Sequence, residues 1–112
     1  MMRTRTFQAT AATAPACSKC ATTSVALVAA TQAGLVKPTV KVIANTAAGC
    51  KRMNVVCTAA TPAFMEFNRA VAGPYEGKTI TATLVCGADL KWRFTKNAVT
   101  TIVTTAACYV VV

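Results

Sequence analysis

With 112 residues the chain can build one modest core, and its six cysteines are more than a routine cytosolic domain of that length carries. Histidine is absent, which removes the usual general base, the usual partner of a catalytic cysteine and the commonest nitrogen ligand for zinc. Twelve Lys and Arg against three Asp and Glu give a formal charge of +9, which biases encounters towards acidic surfaces, polyanions or anionic membranes.

Charged residues are only 13% of the chain and are scattered, so a general basic surface is favoured over a dedicated nucleic-acid site. Aromatics at 6% also argue against a platform for stacked bases, and no specific nucleic-acid partner is expected. No run approaches the roughly 18 apolar residues of a membrane helix, because Thr, Lys and Asn interrupt every candidate. The compartment signals conflict: MMRTRTFQATAATAPA begins basic but has no continuous apolar stretch, so it is not a complete secretory signal. The cysteines nevertheless ask for an oxidising compartment, so the expectation is an extracellular or secreted protein whose leader is missing from this sequence. A reduced intracellular protein is the alternative.

In chain order, residues 1–16 are rich in Thr and Ala with no period that would bury a face, and they read as a flexible arm. A single domain is expected over 17–112, opening at Cys17-Ser18-Lys19-Cys20. Residues 21–33 mix Ala with the β-branched Thr22, Thr23, Val25 and Val28 and read as a strand. Gly34 and Pro38 punctuate, and 39–43 is a strand with Val40 and Val42 on one face and Lys41 on the other. After a turn over 45–49, residues 50–58 alternate clearly: Met53, Val55 and Cys57 share one face, Arg52 and Asn54 the other.

Pro62 precedes a short strand over 63–68, and 70–77, with Gly73-Pro74 and Glu76, reads as a loop. Over 79–86 the residues Ile80, Ala82, Leu84 and Cys86 face inward while Thr79, Thr81, Thr83 and Val85 face out. Gly87-Ala88-Asp89 turns the chain, after which Leu90, Trp92 and Phe94 face the core and Lys91 and Arg93 face water. Lys96-Asn97 turns again, and 99–111 is one long β-branched run containing Cys108.

The count is six to seven strands with turn signals between them, which predicts an all-β, antiparallel β-sandwich, immunoglobulin-like in general architecture and stapled by disulfides. If the strands alternate up and down, Cys57, Cys86 and Cys108 fall towards one end and Cys17, Cys20 and Cys50 towards the other. Each group is odd, so at least one bridge links the two or the strand count is off by one; fifteen connectivities stay open.

Little chemistry is carried by this pattern. Cys17-x-x-Cys20 has the spacing of a redox pair or of half a zinc site, but no βαβ frame surrounds it and no second close pair or histidine completes a metal set. Gly77-Lys78-Thr79 resembles the tail of a phosphate loop, yet it leads into a strand instead of a helix. Glu66, Glu76 and Asp89 are the whole carboxylate stock, and nothing in their spacing pairs them. Trp92 between Lys91 and Arg93 has the composition of a stacking residue, but its parity with Leu90 and Phe94 assigns it to the core as a landmark. The Thr79, Thr81, Thr83 row suits a flat recognition face, even an ice-binding one, and equally suits ordinary solvent-facing strand chemistry. The apolar run 99–112 is either a central strand, which is favoured, or a point of self-association.

CSKC, then GCKRMNVVC, then FMEFN, then TATLVC, Trp92 and a last cysteine near the end together resemble the nematode C6 domain, a six-cysteine extracellular domain of unknown function. That resemblance runs from Cys17 to Cys108, with Asn68 and Trp92 as further landmarks. It implies a secreted or ectodomain module in which Cys17, Cys20, Cys50, Cys57, Cys86 and Cys108 are disulfide-bonded, and it implies no activity.

The expectation is therefore a non-catalytic structural or recognition module with no catalytic residues, cofactor or metal. Its partner is unidentified, a protein or an acidic glycan outside the cell. The alternatives are a basic secreted protein that binds polyanions or anionic membranes, and a self-assembling structural protein that pairs through its C-terminal strand.

Overall fold

A long hairpin carries the molecule. In the computed structural model, which describes residues 14–69 and 71–110, β4 spans Arg52–Phe67 and β5 spans Ala72–Cys86, paired antiparallel along their length. Their neighbours are β1 (Ala26–Leu27), β2 (Leu35–Val36), β3 (Thr39–Ile43), β6 (Trp92–Lys96), β7 (Val99–Ile102) and β8 (Thr105–Val110). All eight join one sheet in the order β1-β8-β4-β5-β6-β7, with β2 beside β8 and β3 beside β4. Every pairing is antiparallel except β1 with β8. The protein is thus all-β and predominantly antiparallel, with eight strands where six or seven were expected.

Period-2 patterning decides which face is inside. On β4 the odd residues Met53, Val55, Cys57, Ala63, Met65 and Phe67 are buried, while Arg52, Asn54, Phe64 and Glu66 are only half-buried. On β5, Ala82, Leu84 and Cys86 are buried and the row Thr79, Thr81, Thr83 is exposed, as the alternation requires.

The sheet does not run straight. Register breaks between Thr58 and Ala63. The Cα of Cys57 is 5.8 Å from that of Cys108, which is the register partner of Met65. Eight residues of straight strand would separate Cys57 from Met65 by about 26 Å. The hairpin is therefore folded over at residues 59–62, and the inner faces of its two halves share one core. Phe94 shows the same closure: β6 joins β5 only at Val85 and Cys86, yet its ring meets Phe67 at 5.2 Å and Tyr75 at 5.5 Å.

Several expectations are corrected. Residues 21–33 are not a strand: two 3-10 turns, Ala16–Ser18 and Thr22–Ser24, lead into the two-residue β1. The first turn is pinned by the Cys17–Cys50 bridge. The strand expected over 63–68 is the second half of β4, because Pro62 sits in the irregular stretch where β4 lacks ladder partners. The loop expected over 70–77 is largely β5, beginning at Ala72 and including Glu76. Pro74 is tolerated there because it lies within the register shift between Met65 and Phe67. Gly73 has φ +103, and a Cβ on it would lie 2.8 Å from the Met65 carbonyl oxygen, so the bulge needs glycine.

Leu90 does not face the core; it takes φ 65 in the turn closed by Gly87 N–H to Lys91 O and is 49% exposed. The run over 99–111 is broken at Val103–Thr104 into β7 and β8, with Val111 outside the described residues. Of the arm expected over 1–16, residues 1–13 also lie outside them, while Ala16 opens the first 3-10 turn.

Candidate functional site

Four of the cysteines, Trp92 and Asp89 converge at the end of the sheet where β4 begins and β5 ends. All six cysteines are paired, as Cys17–Cys50, Cys20–Cys86 and Cys57–Cys108. Four of them meet at this one end because β4 is a single strand. Joining the two short strands into one reverses the direction of everything after Pro62, and this places Cys86 beside Cys50 instead of beside Cys57. The expected grouping of Cys57, Cys86 and Cys108 is corrected accordingly, while the Cys20–Cys86 bridge does link the two expected groups.

Lys51 ties the two bridges together. Its N–H donates to Cys17 O at 2.8 Å, its carbonyl accepts from Cys86 N–H at 2.9 Å, and its Nζ donates to Cys20 O at 3.0 Å. Trp92 completes the plug: it lies opposite Cys86 in the ladder, is 1% exposed, and its Nε1–H donates to Ala21 O at 2.9 Å. The indole therefore packs over the Cys20–Cys86 bridge and satisfies its one polar atom. It is a core landmark and does not present a stacking face.

Five basic residues also lie at this end. Lys19 lies between Cys17 and Cys20, Lys51 follows Cys50, and Arg52 and Arg93 flank Val85 in one cross-strand row. Lys91 closes the Gly87 turn. One acid faces them: Asp89 accepts from Arg93 Nη1 at 2.7 Å and Nη2 at 2.8 Å. That bidentate pair holds the Asp89 carboxyl well below the ordinary range and raises the Arg93 guanidinium.

Two clefts lie around β1. One, of about 320 Å³, is lined by Thr22, Thr23, Val25 and Lys37 among others; the other, of about 450 Å³, lies over β8 with Glu66, Arg69 and Tyr109 at its walls. Glu66 is the one carboxylate lining either cleft. Among the described residues, no three His, Cys, Asp or Glu side chains gather as a metal site, and no cysteine is free. No helix of the described residues is long and apolar enough to cross a membrane.

Against known proteins, the chain is 43% identical over 72 residues to the uncharacterized protein C30G12.4 of Caenorhabditis elegans. The match takes in 59% of this chain and 28% of that relative, so the chain spans little more than a quarter of the length of the curated protein it matches. No family model matches the chain, and no solved structure does.

The sequence singled out the cysteines, Trp92 and Asn68 but missed Lys51 and the basic cluster. Their signal was adjacency: Lys19, Lys51 and Lys91 each stand within five residues of a cysteine that turns out to lie at this end.

Proposed function

We propose that the chain is a non-catalytic extracellular module whose role is structural or recognitive, and that it belongs with the nematode C6 domains it resembles. The observation that carries the reading is complete cysteine pairing, with two bridges locked around Lys51 and the third buried between the folded halves of the sheet. Each bridge contributes about 2 to 4 kcal/mol by restricting the unfolded chain. A modest core held this way resists unfolding where no chaperone operates. The nematode relative and the order of the six cysteines support the family assignment.

Intact mass after thiol alkylation, with and without prior reduction, tests the reading. Six blocked cysteines are expected, and six freely alkylated thiols would overturn it.

A second reading, self-assembly, is favoured by β7. The C-terminal strand β8 is interior, flanked by β4 on one edge and by β1 and β2 on the other, which is the central placement favoured from the sequence, so it does not offer the pairing edge of the alternative. Among the described residues, what stays open of that run is β7, an uncharged edge with Val99 65% and Ile102 40% exposed. Sedimentation of the wild type and of Val99→Lys decides it: a dimer lost in the variant supports pairing through β7, and a concentration-independent monomer sinks it.

A further inference from the structure

We infer that the disulfide-bridged end is a binding site for a sulfated polysaccharide, with Lys19, Lys51, Arg52 and Lys91 as its cationic contacts and Arg93 held by Asp89. This rests on the extracellular reading above and adds a ligand class and a location to it.

In sequence these bases are scattered; covalent bonds and ladder register bring them to one end of the sheet, Lys51 towards its inner face and Arg52 towards its outer face. Lys19 is held between two bridged cysteines, and Lys51 hydrogen-bonds around both bridges. Arg52 is placed beside Val85 by register and gives its Nε–H to Ala44 O at 2.8 Å, which leaves its other guanidinium hydrogens for a ligand, while Arg93 on the other side of Val85 is paired with Asp89. Because the spacing is set by cross-links, a bound polyanion does not have to order a loop, and less of the attraction is lost on binding. The opposing acid, Asp89, is already engaged by Arg93 through both carboxylate oxygens. Lys51 uses one of its three ammonium hydrogens on Cys20 O and retains the others for a ligand.

The choice of polyanion follows from what accompanies the charge. Nucleic acid would call for an aromatic face, but Trp92 is 1% exposed and its indole N–H is committed to Ala21 O. Leu90 at 49% and Ile102 at 40% exposure present too little apolar surface to hold a bilayer without anionic lipid. Anionic lipid is concentrated on the cytoplasmic leaflet, whereas a disulfide-bonded domain works outside. Sulfate esters are point charges that stay ionised, and lysine-rich clusters suit them without stacking or bidentate geometry.

The test is titration with a heparin octasaccharide at several salt concentrations, comparing wild type with Lys19→Gln/Lys51→Gln/Lys91→Gln. A charge-matched control, Lys37→Gln/Lys78→Gln/Lys96→Gln, changes exposed lysines elsewhere. Affinity should fall about tenfold or more in the first variant and within about twofold in the control, with a shallower salt dependence only in the first. The pair Lys19→Gln/Lys91→Gln, which leaves the Lys51 bonds intact, should show an intermediate loss and guards against a folding defect. Equal losses in both triple variants would show a delocalised charge effect and overturn the site. Undiminished binding of fully desulfated heparin would overturn the ligand class. Tighter binding to phosphatidylserine vesicles than to heparin, lost in Leu90→Gln, would reassign the end to membranes. Blocked cysteines with no heparin binding would sink this inference alone, whereas free thiols would sink the extracellular reading beneath it.

Discussion

The side-chain carbonyl of Asn68 accepts the backbone N–H of Thr104 at 2.7 Å, across 36 residues of sequence. The same oxygen accepts Thr105 N–H at 3.3 Å and Thr104 Oγ1–H at 3.1 Å, and Nδ2 donates to Ile102 O at 2.6 Å. One carboxamide thus serves the backbone where β7 ends and β8 begins, holding the break that divides the C-terminal run. Asn68 also takes φ 55, a left-handed conformation that asparagine adopts more readily than other non-glycine residues.

Two substitutions separate these roles. Asn68→Gly keeps the backbone conformation and loses the side-chain bonds, and should cost about 2 kcal/mol in urea unfolding. Asn68→Ala loses the bonds and adds left-handed strain, so it should cost about 1 kcal/mol more. Equal midpoints for the two variants would mean that the backbone conformation carries no cost here.

Trp92 makes a second long-range bond, and its loss is measurable separately from its volume. Trp92→Phe leaves the Ala21 carbonyl without its donor and a void over the Cys20–Cys86 bridge. The expected cost is about 2 to 3 kcal/mol by denaturant unfolding. In the wild type the indole should fluoresce as a buried group and shift red on unfolding; an exposed-type spectrum in the native state would contradict its place in the plug.

How much of this was legible in the sequence depended on the range of the interaction. Alternation in 50–58 and 79–86 fixed the buried faces of β4 and β5 because side-chain parity is local to each strand. Pro62 and Gly73-Pro74 misled because each signals a break, and here both fall in register shifts inside strands that continue past them. That error propagated. Counting β4 as two strands inverted Cys86 and hid the gathering of four cysteines and five bases at one end. Leu90 misled for a different reason: parity was extended through a turn whose left-handed residue resets it. The candidate site consists of contacts between distant segments, such as Lys51 with Cys20, which no local pattern encodes.

Burial orders the three bridges by accessibility to reductant. Cys50 is half-buried, whereas Cys20 and Cys86 are 2% exposed, Cys57 0% and Cys108 1%. Graded reduction with a phosphine, alkylation and peptide mapping should therefore label Cys17 and Cys50 first. Cys57 and Cys108 should be labelled last and only with global unfolding. Replacing that last pair by alanines should cost about 4 kcal/mol, the loop-closure value for its 51-residue separation. Early labelling of Cys57 would show that the folded-over hairpin opens more readily than its burial implies.

The Asp89–Arg93 pair gives a pH prediction with a definite sign. The bidentate hydrogen bond from Arg93 lowers the Asp89 carboxyl in the folded state below its unfolded value of about 3.9. A depressed folded value means that the ionised form is favoured by folding, so the contribution is fully present above about pH 3.9 and is lost as pH falls through the folded value. Both side chains are solvent-accessible, at 43% for Asp89 and 34% for Arg93, so the effect on global stability is small and screened by salt. It should instead be visible locally. A carboxyl-carbon NMR titration of Asp89 should show a midpoint below about 3.9, and Arg93→Gln should return it towards that value. High salt should move the wild-type midpoint in the same direction. Between pH 5 and 8 the Gly87–Lys91 turn should show no titration from this pair, and a transition there would mean that another group holds the turn.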